Sequence, residues 1–137
     1  MKALSVKLPW SLYIACGEKK VEYRTWQTAY RGEVLICTSS TPAVGFKRSA
    51  ICGQAICLAT LTDCMPFKKS HLEQALMEEM PEENGYAFFL SNIRPITPTP
   101  VKGKLHLFDV NITEKDLQFL PHSGEELVNY YVKKGLI

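Results

Sequence analysis

Three prolines between residues 95 and 100, in Arg94-Pro95-Ile96-Thr97-Pro98-Thr99-Pro100, constrain the fold more than any other feature. Proline has no N–H to give to a sheet ladder, so this segment is excluded from a sheet centre and is expected as an extended edge. Around it lie short apolar runs separated by glycine, proline and polar clusters. Lys2 to Lys7 reads as a strand with Leu4 and Val6 on one face, and Val21 to Arg24 as a second. Val34 to Thr38 is a continuous apolar run, suited to a strand buried on both faces. Ile51 to Thr62 predicts a long strand bent at Gly53, Tyr86 to Leu90 an aromatic-rich one, and Leu105 to Val110 the last.

Helices are few. Pro9 opens a short one, with Trp10, Tyr13 and Ile14 facing the core and Gly17 as its stop. Ser70 and Glu73 form a capping-box pattern ahead of the stripe Leu72, Ala75, Leu76 and Met80, ended by Pro81. Residues 111–137 form a helical extension, with Ser123 as cap, Glu125 and Glu126 in the first turn, and Leu127 and Tyr131 on the docking face. Thr25 to Gly32 and the basic stretch Thr41 to Ser49 read as loops, the latter with room for one helical turn; Pro66 to Lys69 is a turn. Many strands with few helices predict a β-rich α+β domain, and strands of mixed length favour a barrel that hides their edges.

The 137 residues fit one domain, and 46% hydrophobic residues suffice for a real core. The net charge is only +2, with a pI near 8.3. A protein that holds nucleic acid through phosphate contacts alone carries a stronger basic excess, so a local site is needed for such a ligand. No apolar run approaches the roughly 20 residues that span a bilayer, and the N-terminus lacks the pattern of a signal peptide. A cytoplasmic protein without membrane association is expected. Five cysteines, at 16, 37, 52, 57 and 64, match no zinc spacing and sit mostly in apolar runs. With His71, His106 and His122 scattered, no metal and no cofactor are expected.

The chemistry concentrates in Gly17-Glu-Lys-Lys-Val-Glu-Tyr-Arg24. Strand alternation places Lys20, Glu22 and Arg24 on one face and Val21 and Tyr23 on the other. Such a face is often no more than a solvated surface with a weak ion pair. The spacing Gly17-x-Lys19-x-x-Glu22-x-Arg24, however, resembles the G-x-K-x-x-E-x-R signature of the ASCH family. The opening Ala3-Leu-Ser-Val-Lys-Leu-Pro-Trp10, the segments Arg24-Thr-Trp26 and Tyr30-Arg-Gly32, and the closing Leu90-Ser-Asn-Ile-Arg-Pro95 and Pro100-Val-Lys-Gly-Lys-Leu105 resemble the same family in the same order. The resemblance spans roughly residues 2 to 110. It implies a single domain, 1–137, with a PUA-like small β-barrel and peripheral helices. It also implies an association with RNA, and the family includes an amidohydrolase of acetylated cytidine and a ribonuclease.

Two activities follow as expectations. In the first, a charged cleft binds RNA or a nucleotide-like small molecule. Arg24 offers a planar fork for phosphate or a base edge, Lys19 and Lys20 add positive charge, and Trp26 and Tyr30 offer stacking surfaces. Ser39, with Thr38, places hydroxyls at the rim, and Arg94 and Lys102 close it from the other side. Trp10 reads first as a core anchor. In the second, Lys19 acts as base or nucleophile, oriented by Glu22, in a hydrolase acting on a modified nucleoside or on RNA. The amidohydrolase branch carries threonine where this chain has Glu22. That branch's further catalytic carboxylate lies on a later strand and has no assigned counterpart here; Asp63 is the only acid near the Ile51 to Thr62 strand. A third reading, a partner site on the Pro95 to Pro100 segment, competes with its role as an edge. The chain is expected as a monomer or homodimer.

Overall fold

The computed structural model describes all 137 residues, Met1–Ile137. Six strands, β1 (Lys2–Val6), β2 (Val21–Arg24), β3 (Gly32–Thr38), β4 (Gln54–Pro66), β5 (Tyr86–Pro100) and β6 (Leu107–Asp109), form one sheet in the order β2-β5-β4-β3-β1-β6. β1 and β3 are parallel and every other pair is antiparallel. The helices are α1 (Trp10–Ala15), α2 (Leu72–Ala75) and α3 (Gly124–Lys133), with 3-10 turns at Lys69–His71 and Glu114–Asp116. The β-rich α+β class holds, and the sheet curls. β4 and β5 pair along most of their length through three register shifts. Bulges raise the local twist and bend the strands. Asn92, with φ 49°, turns the chain at one of them, a conformation asparagine tolerates better than most residues.

The expected barrel is only half closed. β2 and β6 end the sheet without pairing to each other, which leaves a seam between β2 and the β1–β6 edge. Both faces of the sheet are covered. Leu4, Val6, Ile36, Ile56 and Phe88 pack with Ile14 of α1 and with Leu127 and Tyr131 of α3. Ala3, Leu35, Cys37 and Leu58 pack on the other face with Ile96, Phe108 and Leu117. β3 is thus buried on both sides, as its unbroken apolar run predicts. No helix is long and apolar enough to cross a membrane.

Several boundaries move from the sequence reading. The long strand starts at Gln54, because Gly53 (φ 81°) forms a turn and donates its N–H to Thr38 O; it then runs on to Pro66. The expected helix from Ser70 shrinks to a 3-10 turn and the four residues of α2. The Lys68 N–H donates to Nδ1 of His71, whose buried ring packs between Phe67 and Phe89, and Leu76 (φ 56°) ends the helix four residues before Met80. The proline segment is the far half of β5 rather than a free edge. Thr97 donates to Gln118 O and Pro95 O accepts from Leu120, so the tail covers the side that β4 does not. The Thr41 to Ser49 loop contains no helix. In α1 the buried residues are Ser11, Ile14 and Ala15, while Trp10 and Tyr13 are half-buried; the Thr38 hydroxyl donates to Ser11 at 2.9 Å, which makes serine tolerable inside.

Candidate functional site

The seam is where the charged motif lies. β2 pairs with β5 along one edge and has no strand on the other. β6 covers β1 only at Lys2–Leu4, so the carbonyl of Ser5 lies beyond its reach. Arg24 Nη2 donates to that carbonyl at 2.6 Å and ties the two sides together. Alternation along β2 sends Val21 into a small core with Phe67, Ala75 and Ala87, and Glu22 and Arg24 toward the seam.

Gly17 (φ 83°) ends the α1 turn, and the N–H groups of Glu18 and Lys19 both donate to Tyr13 O. This tight turn carries Lys19 back over the ring of Trp10, 5.6 Å from its centroid. Lys19 Nζ donates to Ala75 O at the end of α2 and lies 3.6 Å from Glu22 Oε1. Arg24 Nε donates to the other carboxylate oxygen at 3.0 Å. The side chains of Lys19 and Glu22 are 4% and 9% exposed, so this is a buried cation–anion–cation chain with one net positive charge. Burial pulls the Lys19 ammonium below the usual lysine value; Glu22 opposes that shift and Arg24 adds to it.

A groove of 560 Å³ opens above this chain. It is lined by Ser5 and Lys7, by Trp10, by Glu22, Arg24 and Trp26, and by Lys104 and His106. Trp26 stands edge-on to buried Phe88, with ring centroids 4.9 Å apart, and lies 4.7 Å from the ring of His106. The walls thus supply flat aromatic surface, a free guanidinium nitrogen and two lysines. Glu22 is the one carboxylate present, and it is already held by Lys19 and Arg24. A second groove of 490 Å³ continues from the first, sharing Ser5, Lys7, Ser39 and Lys104. A separate apolar pocket of 230 Å³ reaches Lys19 from the α2 side.

The structure brings Glu22, Arg24 and Trp26 into the groove and places Ser39 on its lining, where its hydroxyl pairs with that of Ser5 at 2.9 Å, whereas Lys19 lies behind Glu22 and lines the α2-side pocket instead. Lys102 lines the second groove. The other expected residues lie elsewhere. Lys20 points to solvent, its backbone bonded to Gln74 and Leu90. Tyr30 donates its hydroxyl to Glu33 O at 2.6 Å and braces the loop. Arg94 sits on β5 opposite Leu58 and pairs with Glu33 of β3 at 2.9 Å, lining a different pocket beside Phe119 and His122. Asp63 pairs with Arg31 at 3.4 Å, outside the cleft. Lys7, Lys104 and His106 form part of the walls and were not singled out by sequence. Only the β1–β6 pairing brings them to the seam, and short-range pattern does not carry that signal. All five cysteines are free. Burial pushes the thiol of Cys37 up to about 12 and that of Cys16 to about 11, which keeps both protonated and poorly nucleophilic near neutral pH.

Fold and cleft together define a small β-rich domain with a polar groove at an open sheet seam. A family model of the ASCH domain matches residues 4–100, and the chain belongs to the ASCH domain family. Among solved structures it is similar to ASCH from Zymomonas mobilis, at 17% identity and a TM-score of 0.59, over 84% of this chain and 89% of that one. A serine-to-alanine variant of the Zymomonas mobilis protein aligns at 16% identity and 0.61, over 80% and 87%. A tyrosine-to-phenylalanine variant aligns at 19% and 0.56, over 73% and 75%. At these identities the likeness establishes the shared fold. No curated protein matches the chain.

Proposed function

We propose that the cleft binds an unpaired base of RNA, or a nucleoside of the same shape, and that this is the principal function of the domain. One observation carries the reading. The only two tryptophans of the chain, Trp10 and Trp26, lie in one groove with Arg24, Lys7 and Lys104, against a single carboxylate that is already paired. Aromatic faces beside guanidinium and ammonium groups are how single-stranded RNA is held, at about 1–3 kcal/mol per stacked base. In this reading Trp26, backed by Phe88, stacks the base. The free nitrogen of Arg24 and the open lone pairs of Glu22 meet its polar edge.

Hydrolysis at the same place draws on a different observation. The desolvated Lys19 beside Glu22, on the α2-side pocket, holds its proton less tightly than an ordinary lysine, the direction that favours a general base. The two readings separate on Lys19→Arg, assayed with short single-stranded RNA and with acetylated cytidine while retention and product are both followed. A binding module keeps most of its retention, because the charge survives. An enzyme loses turnover, because arginine is a poor base near neutral pH. Absence of retention and of product in the wild type would remove both readings.

A further inference from the structure

The two grooves form one trough whose chemistry changes along its length. At the Trp26 end the walls are aromatic and contain Glu22. Past the shared residues Ser5, Lys7, Ser39 and Lys104, the second groove has no aromatic side chain and no carboxylate. Three lysines face it, at positions 7, 102 and 104, and none of them has a carboxylate within ion-pair distance. Lys7 makes one long bond, 3.4 Å to Thr41 O. Ser40 and Thr41 also line this groove, while the Thr38 hydroxyl is turned away to Ser11. Gly103 lies close enough to Ser5 that an added Cβ would fall 3.1 Å from the serine oxygen, so the backbone comes close to that wall.

Unpaired lysines around a concave, hydroxyl-lined wall repel one another, and a bound anion relieves that repulsion. An uncharged ring gains little there, since nothing in this half stacks on it. We propose that the lysine end of the trough binds the phosphate joined to the base at the tryptophan end, so that the ligand class is a phosphate-bearing nucleotide, free or within a strand, rather than a nucleoside. This rests on the reading of the tryptophan end as a base site. It adds a second subsite, with Lys102 as a phosphate contact that plays no part in holding the base.

Calorimetric titration of the full chain with adenosine, adenosine 5′-monophosphate and a tetra-adenylate RNA tests it. The monophosphate is expected to bind about tenfold or more tightly than adenosine at low salt, with the gap narrowing as salt rises. The exposed Lys102→Gln change should narrow that gap several-fold and reduce the salt slope of the tetranucleotide by about 0.7. A tetranucleotide much tighter than the monophosphate identifies a strand as the source of the phosphate, and equal affinities identify the free nucleotide. Adenosine binding as tightly as the monophosphate, without salt dependence, overturns the phosphate subsite and leaves the base site standing. No binding of any of the three removes the base site and the subsite with it.

Discussion

Two arginine–glutamate pairs of nearly equal length occupy this sheet, and their surroundings give them different work. Arg24 and Glu22 are 3.0 Å apart on an edge strand beside the open seam, with Lys19 packed behind them. Arg94 and Glu33 are 2.9 Å apart across β4, on inner strands of the sheet, and their side chains are 27% and 43% exposed. At the first pair the sheet stops, and the polar groups face a groove large enough for a ligand. The second pair bridges two strands across β4, and its Arg94 lines a smaller pocket, of 350 Å³, beside Phe119 and His122. The contrast teaches that strand position, rather than residue type, sets what each pair faces.

The largest effect expected on breaking this contrast is in stability. Glu22→Ala leaves the Lys19 charge buried beside Arg24 without its partner, and should cost about 3–5 kcal/mol in urea unfolding. If the loss is below about 1 kcal/mol, water reaches Lys19 and the pair is not buried in the sense argued here. Next comes the coupling within the chain. Lys19→Met and Glu22→Gln together should cost less than the sum of the single changes by about 0.5–3 kcal/mol, whereas Lys19→Met and Glu33→Gln should add. A coupling of zero for the first pair would separate Lys19 from the motif.

Alkaline pH sharpens the difference between buried charge and buried thiol. The lysine's folded pKa lies below the ordinary lysine value of 10.5, so the unfolded chain binds more protons, and this group's share of stability rises with pH up to that value. Cys37 has the opposite sign. Its folded pKa, about 12, lies above 9.0, so its contribution is complete below about pH 9 and is lost as pH climbs toward 12. Cys37→Ala should therefore flatten the fall in stability above pH 9, and Lys19→Met should steepen it, each by at most about 1.4 kcal/mol per pH unit. Unchanged slopes would mean that these groups titrate alike in the folded and unfolded chain. The smallest effect belongs to the exposed pair: Glu33→Ala should shift stability by no more than about 1 kcal/mol.

Local pattern made much of this fold legible, and long-range pairing explains most of what it missed. The Val21 to Arg24 alternation, the apolar run of β3 and the docking of Leu127 and Tyr131 follow from periodicity, and each is present. The helix from Ser70 did not survive, because a buried His71 and a left-handed Leu76 outweigh a capping-box spacing. The proline segment is extended as expected, but its outer side is covered by Gln118 to Leu120, which no nearby residue foretells. The cleft divides the same way. Lys19, Glu22 and Arg24 were visible because they sit within eight residues of sequence from Gly17. The motif places Arg94 at the cleft, but its register opposite Leu58 puts it on another part of the sheet. His106 carries no local signal in the sequence, because its contact with Trp26 spans the seam.

The central claim is that a base stacks at the seam. The two tryptophans are the natural reporters, since no others exist in the chain. The decisive measurement is the emission of Trp26 alone, in a Trp10→Phe variant titrated with tetra-adenylate RNA. The account predicts saturable quenching, with a midpoint matching the calorimetric affinity. RNA that binds this variant while Trp26 emission stays unchanged would place the ligand elsewhere and contradict the account.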